Sequence, residues 1–182
     1  SASGEGLGSD LVNHYLNQSG EGLIGIVFAT DNIKKAKSSL EEQGFNMPDI
    51  SSGEGTNSSD QQVRKWKNLF LPPELSRGLF SFIIEHTEGA LPSLMAYESS
   101  SPHSLDHVVI NTNDADSFID IYKDAFGIRL ALDKTIEHWK KRMLFFRLSK
   151  TTIEVIEEQN DQETADTLWG LAWNVASIEE TH

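Results

Sequence analysis

The chain has 182 residues, 38% of them hydrophobic and 9% aromatic, with a formal net charge of −13 and no cysteine. That length and apolar content bury a core in one compact unit or two small modules, and no apolar run approaches the roughly 20 residues that span a bilayer. The charge repels nucleic acid and anionic lipid, so neither is an expected partner, and the missing thiols exclude disulfides, thiolate metal ligands and a cysteine nucleophile.

Residues 1–21 are rich in Gly and Ser and contain one weakly amphipathic stretch from Asp10 to Asn17, so they read as a partly mobile connector. They lack the basic and apolar regions of a signal peptide, and a cytoplasmic location is expected. The first module spans residues 22–88. Leu23 to Thr30 reads as a strand, Asp31 or Asn32 as the cap of a helix ending at Gln43, and Gly44 as its stop. The polar run from Asn46 to Gln62, with Gly53, Gly55 and four serines, leaves room only for a short strand. Val63 to Leu71 and Leu79 to Glu85 are strands joined through Pro72-Pro73, which completes a β-α-β-β-β order.

A Ser- and Pro-rich linker, residues 89–104, precedes a second module over residues 105–158. Leu105 to Thr112 is its first strand. Asp114 caps a helix from Ala115 to Phe126, Gly127 stops it, and three strands follow at Arg129–Thr135, Arg142–Ser149 and Thr151–Glu157. Residues 159–182 read as a polar connector and the start of a truncated third module, whose first strand is Leu168 to Val175. One sentence of strand, cap and helix start therefore recurs at Gly25–Ile33, His107–Ala115 and Gly170–Ile178, which marks a repeated supersecondary unit. A lone third strand exposes Leu168, Trp169, Leu171 and Trp173 unless it finds an edge, so a homodimer is expected.

Leu105-Asp-His-Val-Val-Ile on a first strand and Ile153-Glu-Val-Ile on a last strand resemble the vicinal oxygen chelate superfamily, the glyoxalase, extradiol dioxygenase and bleomycin resistance fold. Gly22-Leu-Ile-Gly-Ile-Val-Phe-Ala-Thr-Asp, the Trp66 strand and Leu79-Phe-Ser-Phe-Ile-Ile-Glu resemble the companion module of its glyoxalase-like subset. The resemblance implies an α+β fold of paired βαβββ modules with curled mixed sheets. It also implies a divalent metal ion held between first and last strands, and a small-molecule ligand. Activity is left open between a lyase, isomerase or dioxygenase acting on a small oxygenated metabolite, a metal-free binding protein of the bleomycin resistance type, and a non-catalytic dimerisation module.

Strand alternation puts Leu105, His107, Val109 and Asn111 on one side, with Asp106, Val108, Ile110 and Thr112 on the other. If the helix covers Val108, Ile110, Ile153 and Val155, His107 and Glu154 point together into the cup. They are the candidate catalytic pair and the candidate metal ligands, as chelating groups, as a base with its orienting partner, or as a hydrogen-bonded pair without chemistry. The first module carries Gly25 and Phe82 at the equivalent positions and the third carries Gly170, none of which ligates a metal. Trp66, Phe82 and Arg147 are candidate substrate-pocket residues. The alternative reading of Trp66 is a core anchor and that of Arg147 a solvated cation. His86, His103 and His138 read as surface residues.

Overall fold

The structure, a computed structural model, describes residues 13–17, 20–57, 61–89, 100–158 and 165–181. Those residues form two open mixed sheets with helices packed against them. The first module supplies β1 (Gly25–Ala29), helix α1 (Ile33–Glu42), β2 (Ser51–Thr56), β3 (Val63–Phe70), a short α2 (Pro73–Ser76) and β4 (Phe80–Glu88). The second supplies β5 (Ser104–Thr112), α3 (Ala115–Ile119), β6 (Arg129–Ile136), β7 (Lys141–Leu148) and β8 (Thr151–Glu157), followed by β9 (Thr167–Asn174). Sheet order is β1-β4-β3-β2 in one and β6-β7-β8-β5-β9 in the other. β1 runs parallel to β4, as β5 does to β8, so the two modules repeat one topology.

The helix boundaries follow from side-chain capping. Asn32 accepts a hydrogen bond from the Lys35 amide at 2.9 Å, and Asp114 accepts one from Ser117 at the same distance. Gly44 (φ +94°) and Gly127 (φ +68°) take the left-handed turn that ends each helical segment. A second, longer-range device is shared. Glu85 accepts the Ile33 amide at 2.8 Å and Glu157 accepts the Ala115 amide at 3.1 Å, so the last strand of each module ties down the first turn of its own helix. One departure from expectation lies in α3, which continues as a π-helix over Asp120–Ala125 rather than as an α-helix to Phe126. The wider turn belongs to a segment that stacks Tyr122 on Phe118 with ring centroids 3.9 Å apart.

Helix-facing side chains of both sheets meet in one core. Ile33, Leu69, Leu75, Ile110, Phe118, Leu144, Phe146, Ile153 and Val155 are each at most 1% exposed within it. The modules are also bolted together by a buried ion pair. Arg77, in the left-handed turn after α2, donates Nε to Asp166 Oδ2 at 2.5 Å and Nη2 to Thr112 Oγ1 at 2.9 Å, and it also reaches the Asp114 carbonyl and Ser117. Asp166 stands just before β9, and its side chain is only 1% exposed. The clamp thus gathers the first module, the start of α3 and the approach to β9. β9 finds its edge within the chain itself, pairing antiparallel with β5, and not on a partner as the homodimer expectation supposed. Leu168 packs against the core, whereas Trp169 (71%), Leu171 (37%) and Trp173 (53%) stay exposed. Among the described residues no helix is long and apolar enough to cross a membrane.

Candidate functional site

The sheet faces turned away from the helices differ between the modules. In the five-stranded sheet Val108, Ile110, Ile153 and Val155 are buried toward the helix, as the alternation requires. Their neighbours His107, Val109, Glu154 and Ile156 therefore lie on the opposite face, with Met143, Phe145 and Arg147 beside them on β7. Val109 and Met143 are buried there yet stand outside the main core, forming an apolar floor. His107 Nε2 faces Glu154 Oε2 at 3.5 Å, with the two side chains 28% and 17% exposed.

Asp106 departs from the expected alternation. The β5/β9 register shifts between Leu105 and His107, and the Asp106 carboxylate turns to accept His107 Nδ1 at 2.8 Å. A bulge puts two consecutive side chains on one side, which period-two reading cannot anticipate. The hydrogen bond from His107 is the main cause that holds the Asp106 carboxyl below its ordinary range, and Asn174 of β9 adds a 3.5 Å contact. The imidazole is thus bracketed by two carboxylates. Because Asp106 can only accept, Nδ1 donates, and in the neutral ring Nε2 keeps the lone pair that accepts a proton.

Arg147 shares this face and hydrogen-bonds Thr152 through Nη1. Trp66 and Phe82 stand on the four-stranded sheet instead, so the structure brings three of the five candidate residues to one sheet face and leaves two on the other sheet. Trp66 lies flat across β2. A Cβ on Gly53 would sit 2.5 Å from its Nε1, and one on Gly55 3.2 Å from its Cη2, so both glycines are spaces for the indole. Phe82 clusters with Phe70 and Phe80, centroids 5.4 and 5.7 Å away. A separate groove of about 210 Å³ between the modules, bordered by Phe28, Ala36, Leu40, Phe126 and Leu148, has no ionisable residue in its walls.

The donor set does not fit a divalent metal by itself. Only His107 Nε2 and Glu154 converge, Asp106 is engaged on the other ring nitrogen, and among the described residues no group of three or more His, Asp or Glu is placed to hold an ion. In the first module the matched pairs Phe28↔Ile83 and Ile110↔Val155 set Gly25 opposite the role of His107 and Phe82 opposite that of Glu154. Gly25 admits no side chain at all, since a Cβ would lie 1.8 Å from the Phe80 carbonyl oxygen.

Residues 3–103 match the family described as Glyoxalase-like domain, and residues 104–182 match the Glyoxalase/Bleomycin resistance protein/Dioxygenase superfamily. Similar solved structures include a hypothetical protein from Staphylococcus aureus, at 12% identity and TM-score 0.58, over 80% of this chain and 57% of that one. A variant of 4-hydroxymandelate synthase from Streptomyces coelicolor aligns at 16% identity and TM-score 0.52, over 90% of this chain and 52% of the synthase. This chain therefore spans little more than half the length of either. At such identities the likeness shows the fold. Among curated proteins no sequence matches significantly.

Proposed function

The chain belongs to the glyoxalase-like domain family of the vicinal oxygen chelate superfamily, and from that premise we propose that its second module performs proton transfer on a small oxygenated metabolite, as an isomerase- or lyase-type enzyme. The observation that carries this reading is the imidazole of His107 held between Asp106 at 2.8 Å and Glu154 at 3.5 Å. Asp106 orients the ring and fixes the proton on Nδ1. His107 Nε2 then acts as the base toward a C–H bond next to a carbonyl, taking the proton while the electron pair moves onto the carbonyl oxygen as an enolate. The imidazolium so formed lies between Asp106 and Glu154 and returns the proton to complete the cycle. Val109, Met143 and Phe145 form the apolar floor, and Arg147 is the substrate-binding cation.

A metal-free binding role is the second reading, favoured by the aromatic face of Phe70, Phe80 and Phe82 and by Trp66 lying flat on β2. The exposed Trp169, Leu171 and Trp173 support a homodimer in either case. The two readings separate in one experiment. Small 2-oxo acids and acyl thioesters are incubated with the protein in deuterated water, and deuterium entry at the carbon beside the carbonyl is followed by NMR. Exchange that falls at least about a hundredfold in His107→Ala, within the usual contribution of a general base, supports catalysis. Ligand-induced shifts without exchange in any member of the panel support the binding role.

A further inference from the structure

The strand registers place one line of donors straight across the charged sheet face. Arg129 pairs with Arg147, Arg147 with Thr152, Thr152 with His107, and His107 with Ala172. Partners in register share a face, so Arg129, Arg147, Thr152 and His107 form a transverse row. Two features of the row are unusual for a surface. Arginines directly opposite one another repel, and such cross-strand pairs are unfavourable. The chain also carries a net charge of −13, and Arg77 and Arg142 are each bonded to carboxylates, yet Arg129 and Arg147 have no salt bridge to any described residue. Arg147 is held instead by the neutral Thr152 hydroxyl.

Charge changes sign along the row. At the far end Asp106 and Glu154 flank His107, and their negative charge repels an anion there. Neighbouring strands lie about 4.8 Å apart, so two steps separate the Arg147 strand from the His107 strand by about 10 Å.

We propose that Arg129 and Arg147 form the anion-binding end of this site, and that its ligand is an elongated molecule with a carboxylate or phosphate at the arginines and a neutral oxygenated group at His107. This rests on the reading of His107 as the reacting base and adds the class and orientation of its substrate. Arg129 is the specificity residue, and the guanidinium forks suit either acid group.

The test uses the full chain and reads binding rather than turnover. Inorganic phosphate and acetate are titrated separately while backbone amide shifts are recorded. Saturable shifts centred on β6 and β7 with at least one anion, weakened tenfold or more in Arg129→Gln and in Arg147→Gln but not in Arg64→Gln, are expected. Preference between the two anions identifies the acid group. Absence of saturable shifts with both, or binding unchanged in the two arginine variants, overturns the proposal. His107→Ala separates this outcome from the catalytic reading, because it leaves anion binding intact while abolishing deuterium exchange. Anion binding in a protein that exchanges nothing would keep the row and remove the base.

Discussion

The two modules share strand order, helix caps and a glutamate that holds each helix start, yet the faces opposite their helices differ, one carrying charged groups over an apolar floor and the other mainly aromatic rings. The second module presents Asp106, His107, Arg147 and Glu154. The first presents Val27, Phe70, Phe80 and Phe82, with Trp66 lying across Gly53 and Gly55. The core-facing residues are interchangeable in kind, since both sets must be apolar to bury against a helix. The opposite face carries no such requirement, so it is where two copies of one unit diverge. The contrast at the matched pair Gly25 and His107 is the sharpest. One position has no space for a methyl group, and the other holds an imidazole between two carboxylates.

Four perturbations probe that comparison, beginning with what joins the modules. Replacing Asp166 with Asn leaves the largely buried Arg77 guanidinium without its counter-charge, and the expected loss is about 3 kcal/mol in urea-induced unfolding. A loss below about 1 kcal/mol would mean the pair is solvated and the modules are held by the core alone. Next, Gly25→Ala is expected to destabilise by at least about 2 kcal/mol, because its Cβ meets backbone that cannot yield. His107→Ala at the equivalent place should stay within about 1 kcal/mol, as should Gly170→Ala, where nothing lies within 4 Å of the added carbon. Equal losses at residues 25 and 107 would erase the distinction between the two faces.

The shared device should respond equally. Glu85→Ala and Glu157→Ala each remove the acceptor at a helix start, and each is expected to lower the thermal midpoint by an amount equivalent to about 1 kcal/mol. Markedly unequal values would show that one helix depends less on its own last strand. The smallest effect concerns pH. Hydrogen bonds from Arg142 hold the Asp133 carboxyl below its ordinary range. A carboxylate lowered by folding stabilises above its unfolded value of about 4, and that contribution disappears as pH falls through the folded value. Acid titration of Asp133→Asn should therefore show a shallower loss of stability below pH of about 4 than the parent chain. An identical acid limb would indicate that the exposed pair contributes nothing measurable.

Much of this architecture was legible because it rests on local chemistry. Alternation located His107 and Glu154 on one face, and Asn32, Asp114, Gly44 and Gly127 marked the helix ends through capping and left-handed turns. The sequence also reserved Gly25 and Phe82 as departures from the ligand pattern. What escaped depends on register and distance. Asp106 joins the site only through a bulge between β5 and β9, which has no signature in Leu105-Asp-His. The pairing of Arg129 with Arg147 depends on how β6 and β7 align across another register shift, between Leu130 and Leu132. Arg77 and Asp166 lie 89 positions apart, and nothing in either neighbourhood announces the other. From sequence alone Trp66 fits a pocket wall or a core anchor. Its flat position on β2 follows from the alternate glycines of Ser51–Thr56, a pattern that by itself signals only a weak strand.

The most direct test of the central claim, that the second module holds an oriented imidazole, is the tautomer of His107. Long-range ¹H–¹⁵N correlation spectra of the imidazole, assigned by His107→Gln, report which ring nitrogen carries the proton at a pH where the ring is neutral. The expected result is the Nδ1–H form in the parent chain, with loss of that preference in Asp106→Asn. An Nε2–H ring, or a spectrum unchanged by Asp106→Asn, would contradict the account, because His107 would then lack the oriented lone pair on which proton transfer depends.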